Sequence, residues 1–158
     1  MNRRMTVSGP RGRVRSIAGV ALGAVLGVWA HASALAADVP VLLNEIMANN
    51  QSVTNSDGTL TDWIELYNPG VQAADLSDCS LTDDTLTPHR WVFPAGATLP
   101  SQGFLVVRCD SSAPASTNNG PILNAGFGLK ATGGGVYVYS SVANGGALAA
   151  SVVYGLQA

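Results

Sequence analysis

From residue 41 to the end of the chain, short runs rich in Val, Ile, Leu and aromatic residues are stopped by clusters of Asn, Asp, Gly, Pro and Ser, and no window sustains an apolar repeat of 3.6 residues. A chain punctuated this way cannot lay down a long amphipathic helix; it can form short strands joined by turns. Seven runs stand out, at residues 41–47, 62–68, 79–82, 90–93, 104–109, 136–140 and 151–154. Their spacing suits an antiparallel sandwich. The predicted fold class is therefore all-β, an antiparallel sandwich of about seven strands with no helix longer than a turn or two.

Alternation along a strand assigns side chains to faces. In the second run Ile64 and Leu66 share one face, and Trp63, Glu65 and Tyr67 the other. In the fifth, Leu105, Val107 and Cys109 lie together, opposite Phe104, Val106 and Arg108. Cys79 falls in phase with Leu81, so both cysteines sit on apolar phases. That placement fits a disulfide between Cys79 and Cys109, and it equally fits two buried free thiols. Residues 111–120 are Ser/Ala/Asn/Pro-rich without apolar anchors and read as a mobile surface loop. Residues 143–149 read as a hairpin connection. Gly133-Gly134-Gly135 reads as a tight turn before the sixth run; no Lys-Ser/Thr pair follows it, so it is no phosphate loop.

The N-terminal segment is different in kind. Five of the eight basic residues, Arg3, Arg4, Arg11, Arg13 and Arg15, precede an apolar stretch from Ile17 to Ala30, which ends in Ala32-Ser33-Ala34-Leu35-Ala36-Ala37. A basic start, a short apolar middle and an A-x-A end make a secretory signal. The apolar stretch is short of the roughly 20 residues a membrane span needs. The expected division is a signal peptide at 1–36, cleaved after Ala36 (Ala34 being the other site), and a domain at 37–158. Met5-Thr6-Val7 fits a twin-arginine pattern poorly, so Sec-type export is expected. The protein is then secreted, periplasmic or at the cell surface, with no stable membrane span after cleavage.

Cleavage changes the charge. All ten acidic residues lie beyond Ala36, against Arg90, Arg108 and Lys130, so the mature domain carries a net charge of −7. Phosphate backbones need a basic surface, and this one is the reverse, which argues against nucleic acid as a partner.

One ordered series of motifs is more specific. Leu43-Asn44-Glu45-Ile46-Met47-Ala48-Asn49-Asn50 leads to Asp62-Trp63-Ile64-Glu65-Leu66-Tyr67-Asn68-Pro69. Then come Asp75-Leu76-Ser77, Leu81-Thr82-Asp83-Asp84, Arg90-Trp91-Val92-Phe93-Pro94-Ala95-Gly96 and Leu99-Pro100-Ser101-Gln102-Gly103-Phe104. In order and spacing this closely resembles the lamin-tail domain of bacterial exported proteins, with lesser matches running on to Gly155. The resemblance implies an immunoglobulin-like β-sandwich, the class already reached from the strand pattern. It also implies a non-catalytic module that binds or positions, with a protein or a cell-surface glycan as its ligand. The alternative it implies is the accessory domain of a larger exported hydrolase (a nuclease or phosphoesterase) or of a CotH-like surface protein, whose catalytic part lies outside this chain. Related domains run on beyond a strand such as 151–154, so truncation at the C-terminus is part of the expectation.

Catalytic chemistry finds little to work with. Glu45, Asp62 and Glu65 fall in adjacent motif strands and could be read as a hydrolase's paired carboxylates, yet Glu65 lies in phase with Trp63 and Tyr67, as on a solvated strand face. His89 is the single histidine beyond the signal, in a Thr-Pro-His-Arg loop. A nucleophilic triad or dyad would need it beside a nucleophile, and no G-x-S-x-G elbow exists. No enzyme is expected, no cofactor is required, and catalytic residues are assigned to none. Calcium is the one cofactor the acids suggest: Asp57, Asp62, Asp83 and Asp84 could converge as oxygen ligands at one end of a sandwich. Asn44 and Asn68 are expected to hydrogen-bond backbone at strand ends.

Overall fold

The computed structural model describes residues 39–56 and 58–157. The segment expected to be a signal peptide, its expected cleavage sites and Asp57 lie outside the described residues.

Each of the seven predicted runs becomes a strand, and three two-residue strands join them. In chain order these are β1 (Leu42–Met47), β2 (Asp62–Tyr67), β3 (Ala74–Asp75), β4 (Ser80–Thr82), β5 (Trp91–Val92), β6 (Thr98–Leu99), β7 (Phe104–Cys109), β8 (Leu123–Asn124), β9 (Gly134–Tyr139) and β10 (Leu148–Tyr154). The one helical element among the described residues is a 3-10 turn at Val142–Asn144. Two four-stranded sheets, β1-β2-β7-β8 and β10-β9-β4-β5, form an immunoglobulin-like β-sandwich, with β3-β6 as a small third sheet. Pairing is antiparallel except between β7 and β8.

The period-2 readings hold. Ile64, Leu66 and Val107 of one sheet face Leu81, Trp91, Val136 and Val138 of the other, all buried. The small β3-β6 sheet and the connections add to the core: Leu99 of β6, and Leu76, Phe93 and Phe127, are almost wholly removed from solvent. The Trp91 and Phe93 rings meet at 4.5 Å, and Trp91 Nε1 donates to the Ser116 carbonyl at 3.0 Å, so a large ring is buried without stranding its polar atom. Two turns that begin at prolines lead into β6 and β7: Ala97 N–H donates to the Pro94 carbonyl and Gly103 N–H to the Pro100 carbonyl, both at 3.1 Å.

Three readings change. Gly134 and Gly135 belong to β9 rather than to the turn before it; Tyr137 lies so close over Gly135 that an added Cβ would meet its ring carbon at 2.7 Å. Residues 111–120 are exposed but tied. The buried Asn124 amide donates to the carbonyls of Asp110, Ala113 and Pro114 at 3.1–3.2 Å, and its oxygen accepts from Asp110 N–H at 3.0 Å. Ala115 packs against Gly126, which has φ 72° and no room for a Cβ. Asn68 does bind backbone, donating to the Gln72 and Leu99 carbonyls and accepting from Gly70 N–H. Asn44 instead donates to the Glu65 side chain at 2.7 Å.

Candidate functional site

The acidic residues are held apart by separate structural tasks. Asp62, at the start of β2, accepts from Asn49 and Asn50 N–H through Oδ1 (2.8 and 3.1 Å) and from Leu129 N–H through Oδ2 (3.1 Å). One carboxylate thus clamps the end of β1 to the segment leading into β9. Asp83 is ion-paired with Arg90, whose guanidinium lies over the Phe127 ring at 4.8 Å. Asp84 accepts from Leu86 N–H at 2.9 Å and shapes its own turn. Among the described residues no group of three or more His, Cys, Asp or Glu side chains is gathered as a metal ion would need. Glu45 and Glu65 are cross-strand partners on the outside of the first sheet, with Asn44 bridging to Glu65.

His89 does sit beside a hydroxyl. Its Nδ1 is 2.9 Å from Ser80 Oγ. Ser80 has no exposed surface, however, and its hydroxyl also reaches the Pro88 carbonyl at 3.0 Å. A nucleophile must meet its substrate, and this oxygen faces the loop it anchors. The pair fixes residues 83–90 onto β4.

Cys79 and Cys109 are buried free thiols. Desolvation pushes both thiols up from their ordinary pKa. For Cys109 the charges of Asp62 and Asp83 add to the effect, while a backbone hydrogen bond at Ser141 partly opposes it for Cys79. The thiolate is the reactive form. Ellman's reagent should therefore label neither cysteine in the folded protein near pH 8 and both in guanidinium. Because the folded-state values are raised, the two thiols favour folding below the pH at which free cysteine ionises, about 8.5. That contribution should be lost as pH rises beyond it. A urea midpoint that stays level from neutral pH through pH 10 would contradict this assignment.

The outer face of β1-β2-β7 is where the surface becomes distinctive. Register places its side chains in three rows: Leu42, Tyr67 and Phe104; Glu45, Glu65 and Val106; Met47, Trp63 and Arg108. Tyr67 and Phe104 stack at 4.8 Å. Leu42, Phe104 and Val106 are 51%, 54% and 45% exposed, large values for apolar side chains gathered on one face. Beside them the 53–56 loop and Pro121-Ile122 rise to enclose a groove of about 450 Å³. Trp63, Phe104, Val106 and Arg108 line its sheet side, with Val53, Thr54, Ser56 and Ile122 above. The volume is that of a small-ligand site, and so is the mixture of apolar wall and few polar groups. Sequence reasoning placed each of these strand residues on the correct phase. It did not show that the two phases are neighbours, which only the β2-β7 register decides.

Fold and surface together define an immunoglobulin-like module with a lined groove and no assembled catalytic centre among the described residues. The family model of the lamin tail domain matches residues 35–155, and the chain belongs to that family, one of non-catalytic immunoglobulin-like domains. A search of the curated proteins finds no match to this chain. No helix among the described residues is long and apolar enough to cross a membrane.

Proposed function

We propose that this lamin tail domain is a non-catalytic binding module of an exported protein, and that it takes a neutral glycan of the cell surface in the groove on β2 and β7. The observation that carries the reading is the groove itself, with the exposed side chains of Phe104 and Val106 and the buried ring of Trp63 beside the hydroxyls of Thr54 and Ser56. Sugar rings present apolar C–H faces and a rim of hydroxyls, and this lining offers a counterpart to each. An anionic polymer fits less well, since a mature domain of net charge −7 would repel it. The signal-like segment at 1–36 supplies the exported context.

Retention of the purified protein on a panel of insoluble polysaccharides tests the ligand. Phe104→Ala and Val106→Asn should weaken retention about tenfold or more, the loss of roughly 1.4 kcal/mol, with unchanged circular dichroism. Equal retention of wild type and both variants would remove the groove from the proposal. Retention by immobilised cell-surface proteins and by no polysaccharide would replace the glycan with a protein ligand. The intact mass of the protein recovered outside the cytoplasm tests export: it should begin at Ala37.

A further inference from the structure

The two main sheets have four outer strands, and three are guarded. β5 and β8 are two residues long. β1 exposes Glu45 and breaks register between Leu43 and Glu45. Short length, charge and bulges are the devices by which sheet edges avoid unwanted pairing. β10 is seven residues long, Leu-Ala-Ala-Ser-Val-Val-Tyr, with neither charge nor proline. Like β1 it shifts register once, between Leu148 and Ala150, but from Ala150 to Tyr154 it pairs with β9 without a break, so over those five residues its other edge presents a regular row of N–H and C=O groups. No described residue pairs with that edge.

The packing beneath tells the same story. β1 lies close to β10 on this side of the sandwich. The inward residues Leu43 and Ile46 of β1, and Ala150, Val152 and Tyr154 of β10, are only partly buried. Ile64, Leu66, Val136 and Val138, one strand further in, are buried completely. The seam between β1 and β10 is thus an apolar margin that the described residues leave half covered.

We propose that β10 pairs antiparallel with β10 of a second copy across a two-fold axis, joining two four-stranded sheets into one of eight. A second copy is favoured because the mature domain carries −7, yet meets its twin here along a strand with no charge to oppose itself. β-branched and aromatic residues such as Val152, Val153 and Tyr154 pair readily across strands. The two-fold arrangement is closed, so it consumes the open edge without building a filament. The groove lies on the outer face of the other sheet, so the two surfaces can be tested separately.

Sedimentation of the purified protein over about a hundredfold range of concentration should show the mass rising from one chain to two. Ser151 and Val153 are exposed, the latter 77%, so Ser151→Lys and Val153→Lys set like charges across the axis without touching the core. Both variants should remain single chains at every concentration, with unaltered circular dichroism and the unfolding midpoint that the wild type shows when dilute enough to be a single chain. The amides of β10 should exchange slowly in the wild-type dimer and quickly in Ser151→Lys. A wild type that stays a single chain throughout, or lysine variants that dimerise like it, would overturn the proposal. A single chain that captures an added apolar extended peptide on β10 would overturn the second copy as the occupant.

Discussion

Asp62→Ala should lower the stability of the folded domain by about 3 kcal/mol, read as a shift of the urea midpoint at constant slope. Its carboxylate accepts three backbone N–H groups from two distant segments, Asn49-Asn50 and Leu129. A hydrogen bond to a charged group contributes roughly 1.5–3 kcal/mol, and losing the acceptor leaves the donors unpaired. Water can reach part of this half-buried site, and bonds sharing one carboxylate are not additive, so the total falls well below three times the upper figure. Asp62→Asn keeps an acceptor for Asn49 and Asn50 but turns an amide N–H toward that of Leu129. Its loss should be smaller, about 1–2 kcal/mol. The same measurement separates a clamp from a calcium ligand. A group that holds calcium only when folded would make the midpoint depend on calcium concentration. The clamp requires that calcium and chelator leave it where it is, and that alanine costs clearly more than asparagine. An Asp62→Ala protein as stable as wild type would remove the clamp from this account.

The long strands were legible because burial imposes alternation, and alternation survives in a single sequence. Phe104 to Cys109 appears as a strand with the bounds its pattern suggests, Val107 and Cys109 inward and Phe104 and Val106 outward. β3, β6 and β8 left no such trace: two residues cannot display a period, and each strand exists only because a distant partner lies alongside. The 111–120 loop misled for a related reason. What holds it is polar, centred on Asn124, and hydrogen-bond partners many residues away have no periodic signature. Asp62 is the same case, since its partners Asn49 and Leu129 lie on either side in sequence. The groove was half legible. The outward phases of β2 and β7 could each be read, but that Trp63 stands opposite Arg108 and Tyr67 opposite Phe104 follows from long-range register. The β10 edge was not legible at all, because being last in a sheet is a property of topology.

Two phenylalanines, cut back identically, should separate what holds the domain together from what it presents. Phe93 is 1% exposed, packed on Trp91 at 4.5 Å within the core formed by both sheets. Phe93→Ala removes a buried ring and leaves a cavity that neighbouring strands cannot close, a loss of about 3–5 kcal/mol. A domain of this size has about 5–15 kcal/mol of stability in total. The variant should therefore unfold at much lower urea and become sensitive to protease at ordinary temperature. Phe104 is 54% exposed and touches Tyr67 at 4.8 Å on the outer face. Phe104→Ala gives up one surface ring contact, worth about 0.5–1.5 kcal/mol, and should leave the midpoint nearly in place while weakening glycan retention. The contrast does not depend on the ligand being identified correctly, since the stability half needs none. A Phe104→Ala protein as destabilised as Phe93→Ala would mean that the outer aromatic rows brace the sheet rather than await a ligand. The groove would then be a by-product of packing. A large loss at Phe93 with almost none at Phe104 leaves those exposed rings without a structural purpose, which is the condition the binding proposal needs.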